Sequence, residues 1–291
     1  MIINGTTSLY GIIGKPVEHT ISPLIHNTIS ERMGIDSVYV PFRTDGNLSD
    51  TTRGLYSLGV RGINVTVPYK TSIMEHLSAV EPLAAAIGAV NTLKYTDEGY
   101  RGYNTDILGL GRELDSEGIS VKDREVIILG AGGAARAAAF MCLERKPGSM
   151  VIANRTLEKA ELIRKDLERY ACSEGYEGEA VNIKAVTTDS LTGPGSSGLI
   201  VFQCTNVGLS PNDGDCVIND RDFYGRVAEG IDLIYKPAQT VFMKYVEEAG
   251  GRAYNGLKML IYQAVCSYEI WNDVRVPDDV VDEIEIKLSE R

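Results

Sequence analysis

The chain of 291 residues, 44% of them hydrophobic, is long enough for two domains or one large domain with an ample core. A formal net charge of −11 and a sequence pI near 4.9 argue against a nucleic-acid-binding or anionic-membrane-binding surface. Five cysteines without a Cys-x-x-Cys spacing and only three histidines argue against a disulfide framework, a zinc site or a His-rich metal centre.

The first predicted elements are a strand over residues 9–13 and a helix that begins at Ser22. Ser22 is a favourable N-cap residue, and Pro23 is favourable at the first helical position. Thr20 and Ser22 place two hydroxyl groups just before this helix, and such a pair can bind a carboxylate or a polyol near a helix N-terminus. Helix capping alone also explains the two residues, so both interpretations stay open.

The stretch from Asn64 to Lys70 organises the first half of the chain. Its β-branched residues predict a buried strand over residues 62–67 that ends at Pro68, because proline cannot donate to a sheet ladder. Lys70 then lies at the carboxyl end of that strand, where open α/β sheets bind ligands. A lysine there can hold a charge, bind a carboxylate or transfer a proton, and a solvated loop lysine is the ordinary alternative.

Two further polar positions follow in chain order. A short strand is predicted over residues 88–93, with Asn91 as a buried or cleft-lining amide. Residues 104–106 (Asn-Thr-Asp) then precede an apolar-periodic helix. They are either an N-cap cluster or a group that places the Asp106 carboxylate at the joint between two segments, and the periodicity does not decide between these.

A dinucleotide-binding pattern begins in the middle of the chain. Residues 126–129 (Val-Ile-Ile-Leu) form the continuous apolar run expected of a parallel strand that is buried on both faces. The run leads into Gly-Ala-Gly-Gly-Ala-Ala at 130–135, an alanine-rich helix through Phe140 and a second strand over 150–153. Glycines at these positions permit a tight turn and a close approach of the backbone to a pyrophosphate.

The end of the second strand of this pattern indicates which nicotinamide cofactor binds. An NAD site has an Asp or Glu there, which binds the ribose hydroxyls. This chain has Asn154, Arg155 and Thr156, followed by Lys159. The planar guanidinium of Arg155 can bind a 2′-phosphate, so the sequence predicts NADP, with a solvated arginine at a helix start as the alternative.

The hydrophobic pattern predicts the remaining elements as follows: a strand at 38–42, helical turns at 73–77 and 83–87, a helix at 157–170, a surface loop at 171–179, strands at 199–204 and 230–235, and helices at 241–248 and 259–270. The small polar residues 205–208 suit the lining of a nucleotide site. Gln263 is the notable internal amide of the last helix.

Together these segments resemble the shikimate dehydrogenase family, including its quinate/shikimate members. The matching motifs occur in the family's order along almost the whole chain: Gly14-Lys-Pro…His19-Thr-Ile-Ser-Pro23…His26-Asn27, Asn64-Val-Thr-Val-Pro-Tyr-Lys70, Gly88-Ala-Val-Asn91-Thr-Leu, Asn104-Thr-Asp106, the glycine loop, Asn154-Arg-Thr156, Asp232-Leu-Ile-Tyr235-Lys-Pro and Gly256-Leu-Lys-Met259-Leu…Gln263-Ala. A set of motifs in one order is far more specific than any one of them.

The resemblance implies an α/β fold of two domains, a substrate-binding α/β domain and a Rossmann-type dinucleotide-binding domain with a parallel sheet. The expected bounds are 1–106 plus 255–291 for the substrate-binding domain and 107–254 for the NADP-binding domain. The implied reaction is the reversible, NADP-dependent reduction of 3-dehydroshikimate to shikimate, in the synthesis of chorismate and the aromatic amino acids.

The resemblance also implies roles for residues that match the family's motifs. Lys70 and Asp106 are the expected catalytic pair. The expected substrate-binding residues are Thr20, Ser22, Thr66, Asn91, Tyr235 and Gln263. The expected cofactor-binding residues are Gly130, Ala131, Gly132, Gly133, Ala134, Asn154, Arg155, Thr156, Lys159, Thr205, Leu233 and Gly256. No metal is expected.

Three residues depart from the family pattern. Thr20 stands where the carboxylate-binding pair usually has a first serine, and its extra methyl group bears on the balance between shikimate and quinate. Ile107 follows the catalytic carboxylate where glycine is usual. Lys258 replaces a glycine close to the expected nicotinamide site.

Other readings remain as alternatives. One is a quinate/shikimate dehydrogenase with dual substrate or NAD use, and another is a non-catalytic sensor that binds dehydroshikimate or a nucleotide. The expected partner is a small-molecule substrate, without nucleic acid or membrane, in a monomer or a homodimer. The start of the chain lacks a basic stretch followed by a long apolar run, so the expected location is cytoplasmic.

Overall fold

The computed structural model describes residues 3–175, 182–193 and 195–290. The chain folds into two compact units: Met1–Gly109 with Leu260–Arg291, called unit 1 below, and Leu110–Met259, called unit 2. Each unit has its own six-stranded sheet. The last part of the predicted surface loop, residues 176–179, lies outside the described residues.

The first part of the chain forms the following elements: β1 (Ser8–Gly14), α1 (Ser22–Met33), β2 (Ser37–Arg43), α2 (Leu48–Ser57), β3 (Gly62–Val65), a 3₁₀ helix (Ser72–His76), β4 (Ala79–Val80), α3 (Pro82–Ile87), β5 (Thr92–Thr96), β6 (Gly99–Tyr103) and α4 (Thr105–Ser116). The rest forms β7 (Glu125–Leu129), α5 (Gly133–Glu144), β8 (Ser149–Ala153), α6 (Leu157–Ser173), β9 (Asn182–Val186), a 3₁₀ helix (Thr188–Leu191), β10 (Leu199–Gln203), α7 (Arg221–Tyr224), β11 (Val227–Asp232), α8 (Val241–Glu248), β12 (Arg252–Asn255), α9 (Leu257–Asn272) and α10 (Asp278–Ser289).

The sheet of unit 1 is mixed, with the strand order β2-β1-β3-β5-β6-β4. β1 is parallel to both of its neighbours, while β5 pairs antiparallel with β3 and with β6. Its core is formed by apolar side chains from several strands, including Ile13, Ile63, Val65 and Leu93. This arrangement brings the end of β3 beside the start of β5, where Thr92 contacts Thr105 at the start of α4.

The sheet of unit 2 is parallel throughout, with the strand order β12-β11-β10-β7-β8-β9. Counted within the sheet, this is the order 3-2-1-4-5-6 read from the other edge, which is the Rossmann arrangement. Four of the five residues of β7 are buried, as its continuous apolar run predicts. The predicted Rossmann-type domain with a parallel sheet is confirmed.

Several element bounds differ from the prediction because polar contacts decide where a strand ends. β3 ends at Val65 rather than at residue 67, since the backbone turns back through a bond from the Tyr69 amide to the Thr66 carbonyl, and Val67 is 66% exposed. β11 spans 227–232 rather than 230–235, because the Asp232 carboxylate accepts a bond from the Ile234 amide and turns the chain.

Two other local predictions were wrong by a residue or more. Ser22 is the first helical residue of α1 and not its N-cap, which is Ile21. The strand predicted over 88–93 begins only at Thr92, so Asn91 precedes β5. The sequence analysis did not predict α2 or α10.

A buried histidine lies in the aromatic cluster of unit 1. The His26 ring stacks on Tyr39 with centroids 4.1 Å apart and packs against Trp271 at 5.1 Å. His26 is 1% exposed, and burial lowers its pKa from 6.5 to about 3. The folded protein therefore leaves His26 neutral at pH values where the unfolded chain protonates it.

This burial predicts a specific loss of stability in acid. Because the pKa of His26 is lower in the folded than in the unfolded state, the free energy of unfolding should fall as the pH drops below 6.5, by about 1.4 kcal/mol per pH unit. His26→Phe keeps an aromatic ring and should remove this contribution. Urea unfolding at pH values from 7.5 to 4.5 measures it (about 3 kcal/mol over two units below 6.5). The exposed His19, changed to Gln, is the control, and equal pH slopes for the His26→Phe and unmodified proteins would contradict the prediction.

Candidate active site

The central feature of unit 1 is an ion pair between Lys70 and Asp106. The Lys70 ammonium lies 2.6 Å from Oδ2 of Asp106, with the two side chains 31% and 16% exposed. Lys70 lies in the turn that follows β3, where its carbonyl oxygen accepts a bond of 2.8 Å from the Val90 amide. A half-exposed ammonium held by a carboxylate can stabilise negative charge on a ligand or transfer a proton to it.

Asn91 binds the other oxygen of the same carboxylate. Its Nδ2 donates to Oδ1 of Asp106 over 2.8 Å. Asp106 itself lies in the first turn of α4, which is capped by Asn104, because the Asn104 Oδ1 accepts bonds from the amides of Asp106 and Ile107. Both interpretations of residues 104–106 therefore hold: Asn104 caps the helix, and the carboxylate of Asp106 remains available to Lys70 and Asn91.

Thr20 and Ser22 form a second polar group in unit 1. Their hydroxyl oxygens lie 3.1 Å apart, and the Ser22 amide donates to the Thr20 Oγ1 over 3.3 Å. The N-cap Ile21 supplies no side-chain bond, but the Thr20 hydroxyl accepts from the first amide of α1, so the capping interpretation holds in part. The pair lies at the N-terminus of a twelve-residue helix, a position that favours an anionic ligand group.

The other predicted substrate-binding residues lie in different parts of the fold. Thr66 follows β3 directly, and its amide bonds to the Ile13 carbonyl. Gln263 lies on α9, where its Nε2 donates to the Leu260 carbonyl over 2.8 Å. Tyr235 belongs to unit 2, in the loop after β11, and is 41% exposed.

In unit 2, the predicted glycine loop joins β7 to the N-terminus of α5. Gly130 has φ +113°, a left-handed conformation that favours glycine, and a β-carbon there would lie 3.1 Å from Cγ2 of Thr205. At Gly132 and Gly133 no described atom lies within 4 Å of such a β-carbon, and Ala134 is exposed. Open space therefore lies beside the glycines at the N-terminus of α5, as the close approach of a pyrophosphate requires.

The predicted 2′-phosphate residues lie at the end of β8 and the start of α6. Asn154 is half-buried and bonds to the Thr156 carbonyl through its Nδ2. Arg155, Thr156 and Lys159 are exposed. In the described ranges neither Arg155 nor Lys159 makes an ion pair. Both cations can therefore bind an anion at the end of β8, the strand that pairs with β7 before the glycine loop. This donor set fits NADP and lacks the carboxylate of an NAD site.

Two buried polar side chains, Gln203 and Asp232, bond to the loops that carry the predicted cofactor-binding residues Thr205 and Leu233. The Gln203 Oε1 accepts bonds of 2.7 Å from both the amide and the hydroxyl of Thr205. Asp232 accepts from the Ile234 amide and, over 2.6 Å, from the Thr240 hydroxyl. Gln203 and Asp232 are fully buried, and burial raises the pKa of Asp232 to about 6.

These bonds shape the two loops that follow β10 and β11. The Leu233 amide donates to the Gln203 carbonyl, and the Gly256 amide donates to the Ile234 carbonyl. A β-carbon at Gly256 would lie 2.4 Å from the Leu233 carbonyl oxygen, so glycine is required for this close approach. Sequence analysis identified Thr205, Leu233 and Gly256, but not the two side chains beneath them.

The structure also accounts for two departures from the family pattern. Ile107 is only 5% exposed, so its side chain is buried. The Lys258 ammonium pairs with the carboxylate of Glu117 within unit 2. Lys258 is therefore neutralised by an acidic neighbour.

A further set of polar residues in unit 1 was missed by the sequence analysis. Asn64, Thr92, Thr105 and Ser267 are buried and hydrogen-bonded to one another around Asn91. The motifs contained Asn64, Thr92 and Thr105 but gave them no role, and Ser267 lay outside every motif. In the sequence, the one sign of such a buried polar set is a polar residue on an otherwise apolar face of a strand or helix.

The next two features are metal-binding side-chain groups and membrane-spanning helices. In the residues that the structure describes, no group of three or more His, Cys, Asp or Glu side chains is arranged to hold a metal ion. Among those residues, no helix combines the length and the apolar character that crossing a bilayer requires.

Comparison with family models gives three matches along the chain. Residues 12–93 match the shikimate dehydrogenase substrate binding domain. Residues 113–177 match shikimate / quinate 5-dehydrogenase, and residues 256–283 match the shikimate 5′-dehydrogenase C-terminal domain.

Individual proteins are similar over almost the whole length. A shikimate dehydrogenase (NADP(+)) of Methanothermobacter thermautotrophicus is 39% identical over 288 residues, covering 97% of each chain. A crystal structure of a shikimate dehydrogenase in complex with NADP⁺ has a TM-score of 0.86 at 36% identity, covering 98% of this chain and 97% of that one. The enzyme of Listeria monocytogenes in complex with shikimate and NAD has a TM-score of 0.86 at 28% identity and covers 97% of each chain.

Proposed function

Because this chain belongs to the shikimate dehydrogenase family, we propose that it catalyses the reversible, NADP-dependent reduction of 3-dehydroshikimate to shikimate. The observation that carries the proposal is the Lys70–Asp106 ion pair, held by Asn91 in the unit that matches the family's substrate binding domain. Shikimate formation belongs to the synthesis of chorismate and the aromatic amino acids. The cytoplasm is the proposed location.

In this proposal unit 1 binds the substrate and unit 2 binds the cofactor, with domain bounds near 1–106 plus 255–291 and 107–254. Bound NADPH supplies the hydride. As the ketone gains the hydride, negative charge develops on its oxygen, which needs a nearby cation or proton donor. Lys70 provides the ammonium, and the carboxylate of Asp106, 2.6 Å from it, keeps that ammonium in place.

The substrate's own charge and hydroxyls account for the other residues of unit 1. Thr20 and Ser22, with hydroxyls 3.1 Å apart at the start of α1, are the proposed donors to the substrate carboxylate. Thr66, Asn91, Tyr235 and Gln263 are proposed to bind the ring hydroxyls or the carboxylate. Asp106 retains acceptor capacity for a substrate hydroxyl beside the bonds from Lys70 and Asn91.

The cofactor assignment is supported by two features of unit 2. The open glycine loop at the N-terminus of α5 suits a pyrophosphate, and the exposed Arg155 and Lys159 suit a 2′-phosphate. The similar proteins named for NADP(+) point the same way. Thr205, Leu233 and Gly256 are proposed to line the nicotinamide side.

A four-way initial-rate assay tests the proposed function. Shikimate or quinate is offered with NADP⁺ or NAD⁺, and the absorbance of the reduced nicotinamide is followed. We expect the pair of shikimate and NADP⁺ to give the highest kcat/KM. Preference for quinate or for NAD⁺ would show that Thr20 or the region of Asn154 was misread and would favour the dual-substrate alternative. Absence of a rate in every pairing would overturn the activity and favour a sensor.

A further inference from the structure

We infer that Ser267, on α9, is a positioning residue for the reaction, because it completes a buried cluster of hydroxyl groups that orients Asn91 and, through it, Asp106. The inference rests on the proposed function of the Lys70–Asp106 pair. The hydroxyl cluster consists of Thr92 at the start of β5, Thr105 at the start of α4 and Ser267. All three residues are fully buried.

The orientation of the Asn91 amide is the first step. A backbone N–H can only donate, and the Thr105 amide lies 2.7 Å from Oδ1 of Asn91, so this atom must be the oxygen. The hydroxyls of Thr92 and Thr105 reach the same oxygen over 3.0 and 3.1 Å. With its oxygen held on this side, Asn91 presents its NH₂ group to Oδ1 of Asp106.

The second step is to establish which hydroxyl of the cluster donates and which accepts in each hydrogen bond. The three oxygens lie 2.8 to 3.0 Å from one another. Ser267 gives its only proton to the Gln263 carbonyl over 2.9 Å, so its oxygen acts as an acceptor toward the threonines. A threonine hydroxyl can therefore donate to Ser267 while the other donates to Asn91, and no proton is left without an acceptor.

Asn64, on β3, contacts the hydroxyl cluster through its side-chain amide. Its Nδ2 has two N–H donors and three acceptors within reach: Ser267 at 2.9 Å, Thr92 at 3.1 Å and the Asn91 carbonyl at 3.2 Å. Its Oδ1 accepts from the Tyr39 hydroxyl over 2.8 Å. Asn64 is only 6% exposed. Without Ser267, Asn64 and the threonines lose a shared acceptor in a place that water does not reach, and they must rearrange around Asn91.

Such a rearrangement should act mainly on turnover. A misplacement of about 1 Å at a reacting group costs on the order of 100-fold in rate. Asp106 contacts Asn91 and Lys70 directly, so a rotation of the Asn91 amide moves the carboxylate that holds the ammonium. We expect Ser267→Ala to lower kcat for shikimate oxidation by about 10- to 100-fold, with a much smaller change in the KM for shikimate.

Ser30→Ala is the matched control. Ser30 is also a buried helical serine of unit 1, and it donates to the carbonyl four residues earlier, that of His26, over 3.0 Å. Its hydroxyl contacts Ser37 and not the cluster around Asn91. Both alanine variants should lose comparable unfolding free energy in urea, but Ser30→Ala should keep kcat within about twofold, because it displaces no group that orients Asn91 or Asp106.

A double-mutant cycle separates positioning from a general loss of structure. In an Asn91→Ala background there is no amide to orient, so adding Ser267→Ala should leave kcat nearly unchanged. Thr92→Val removes a cluster hydroxyl with little change of shape and should lower kcat alone if Ser267→Ala does not fold. Equal kcat for Ser267→Ala and Ser30→Ala, or a full further loss in the Asn91→Ala background, would overturn the inference while the proposed function stands. No turnover in the unmodified protein would overturn both.

Discussion

Replacing Lys70 with alanine is expected to lower kcat for shikimate oxidation by about 10²- to 10⁴-fold, the usual contribution of a positioned acid–base group. In the proposed mechanism, the Lys70 ammonium, held 2.6 Å from Asp106, is the cation that stabilises charge on the reacting oxygen. Steady-state kinetics with shikimate and NADP⁺ measure the effect. A loss of kcat with little change in KM would indicate an interaction made mainly in the transition state.

Lys94→Ala is the control for this prediction. Lys94 is another lysine of unit 1 that is paired with an aspartate, at 2.8 Å from Asp273, and its side chain is 24% exposed. Its removal should change stability slightly and leave kcat near that of the unmodified protein. Near-normal turnover in Lys70→Ala would remove Lys70 from the mechanism, whatever the control shows.

Changing Arg155 to aspartate is expected to shift the preference for NADP⁺ over NAD⁺ by about 10³-fold in kcat/KM. Charge-assisted hydrogen bonds to an anion are worth about 1.5–3 kcal/mol each, and the substitution both removes the planar donor and introduces a repulsive carboxylate. Arg155 is exposed at the start of α6 and free to turn toward a phosphate. Rates with both cofactors, and titration of NADPH fluorescence without substrate, measure the shift.

Arg164 provides a control on α6, the helix that follows Arg155. It is bonded to Glu161 and Glu168 and plays no part in the proposed cofactor site. Arg164→Ala should leave the cofactor preference unchanged. A preference for NADP⁺ that survives Arg155→Asp would place the recognition of the 2′-phosphate elsewhere, and Lys159 would be the first residue to examine.

The features that could be predicted from sequence are those written in short, local patterns. The apolar run of β7, the glycine loop and the helix after it lie together in the chain, so their order predicts the parallel Rossmann-type sheet that the structure has. Lys70 and Asp106 were identified by motifs, and each follows or begins an element whose position was nearly right.

The features that could not be predicted depend on contacts between distant parts of the chain. Ser267 lies on the buried face of α9, where a serine looks like any small helical residue, and its partners Thr92 and Asn64 are far away in sequence. Strand ends were missed for a related reason. The Asp232 carboxylate ends β11 by bonding forward to the Ile234 amide, which no hydrophobic period reveals.

Unit 1 is built from two separate segments of the chain, 1–109 and 260–291, and this affects the order in which its parts are synthesised. Residues 110–259 are synthesised before residue 260 is added, so every residue of unit 2 precedes the last segment of unit 1 in the growing chain. That segment brings Trp271, whose ring covers Gly62 and whose Nε1 bonds to the Leu93 carbonyl, together with Ser267. Until that segment is made, Asn64 and Thr92 lack their bonds to Ser267, so the hydrogen-bonded surroundings of Asn91, which binds Asp106, are completed last.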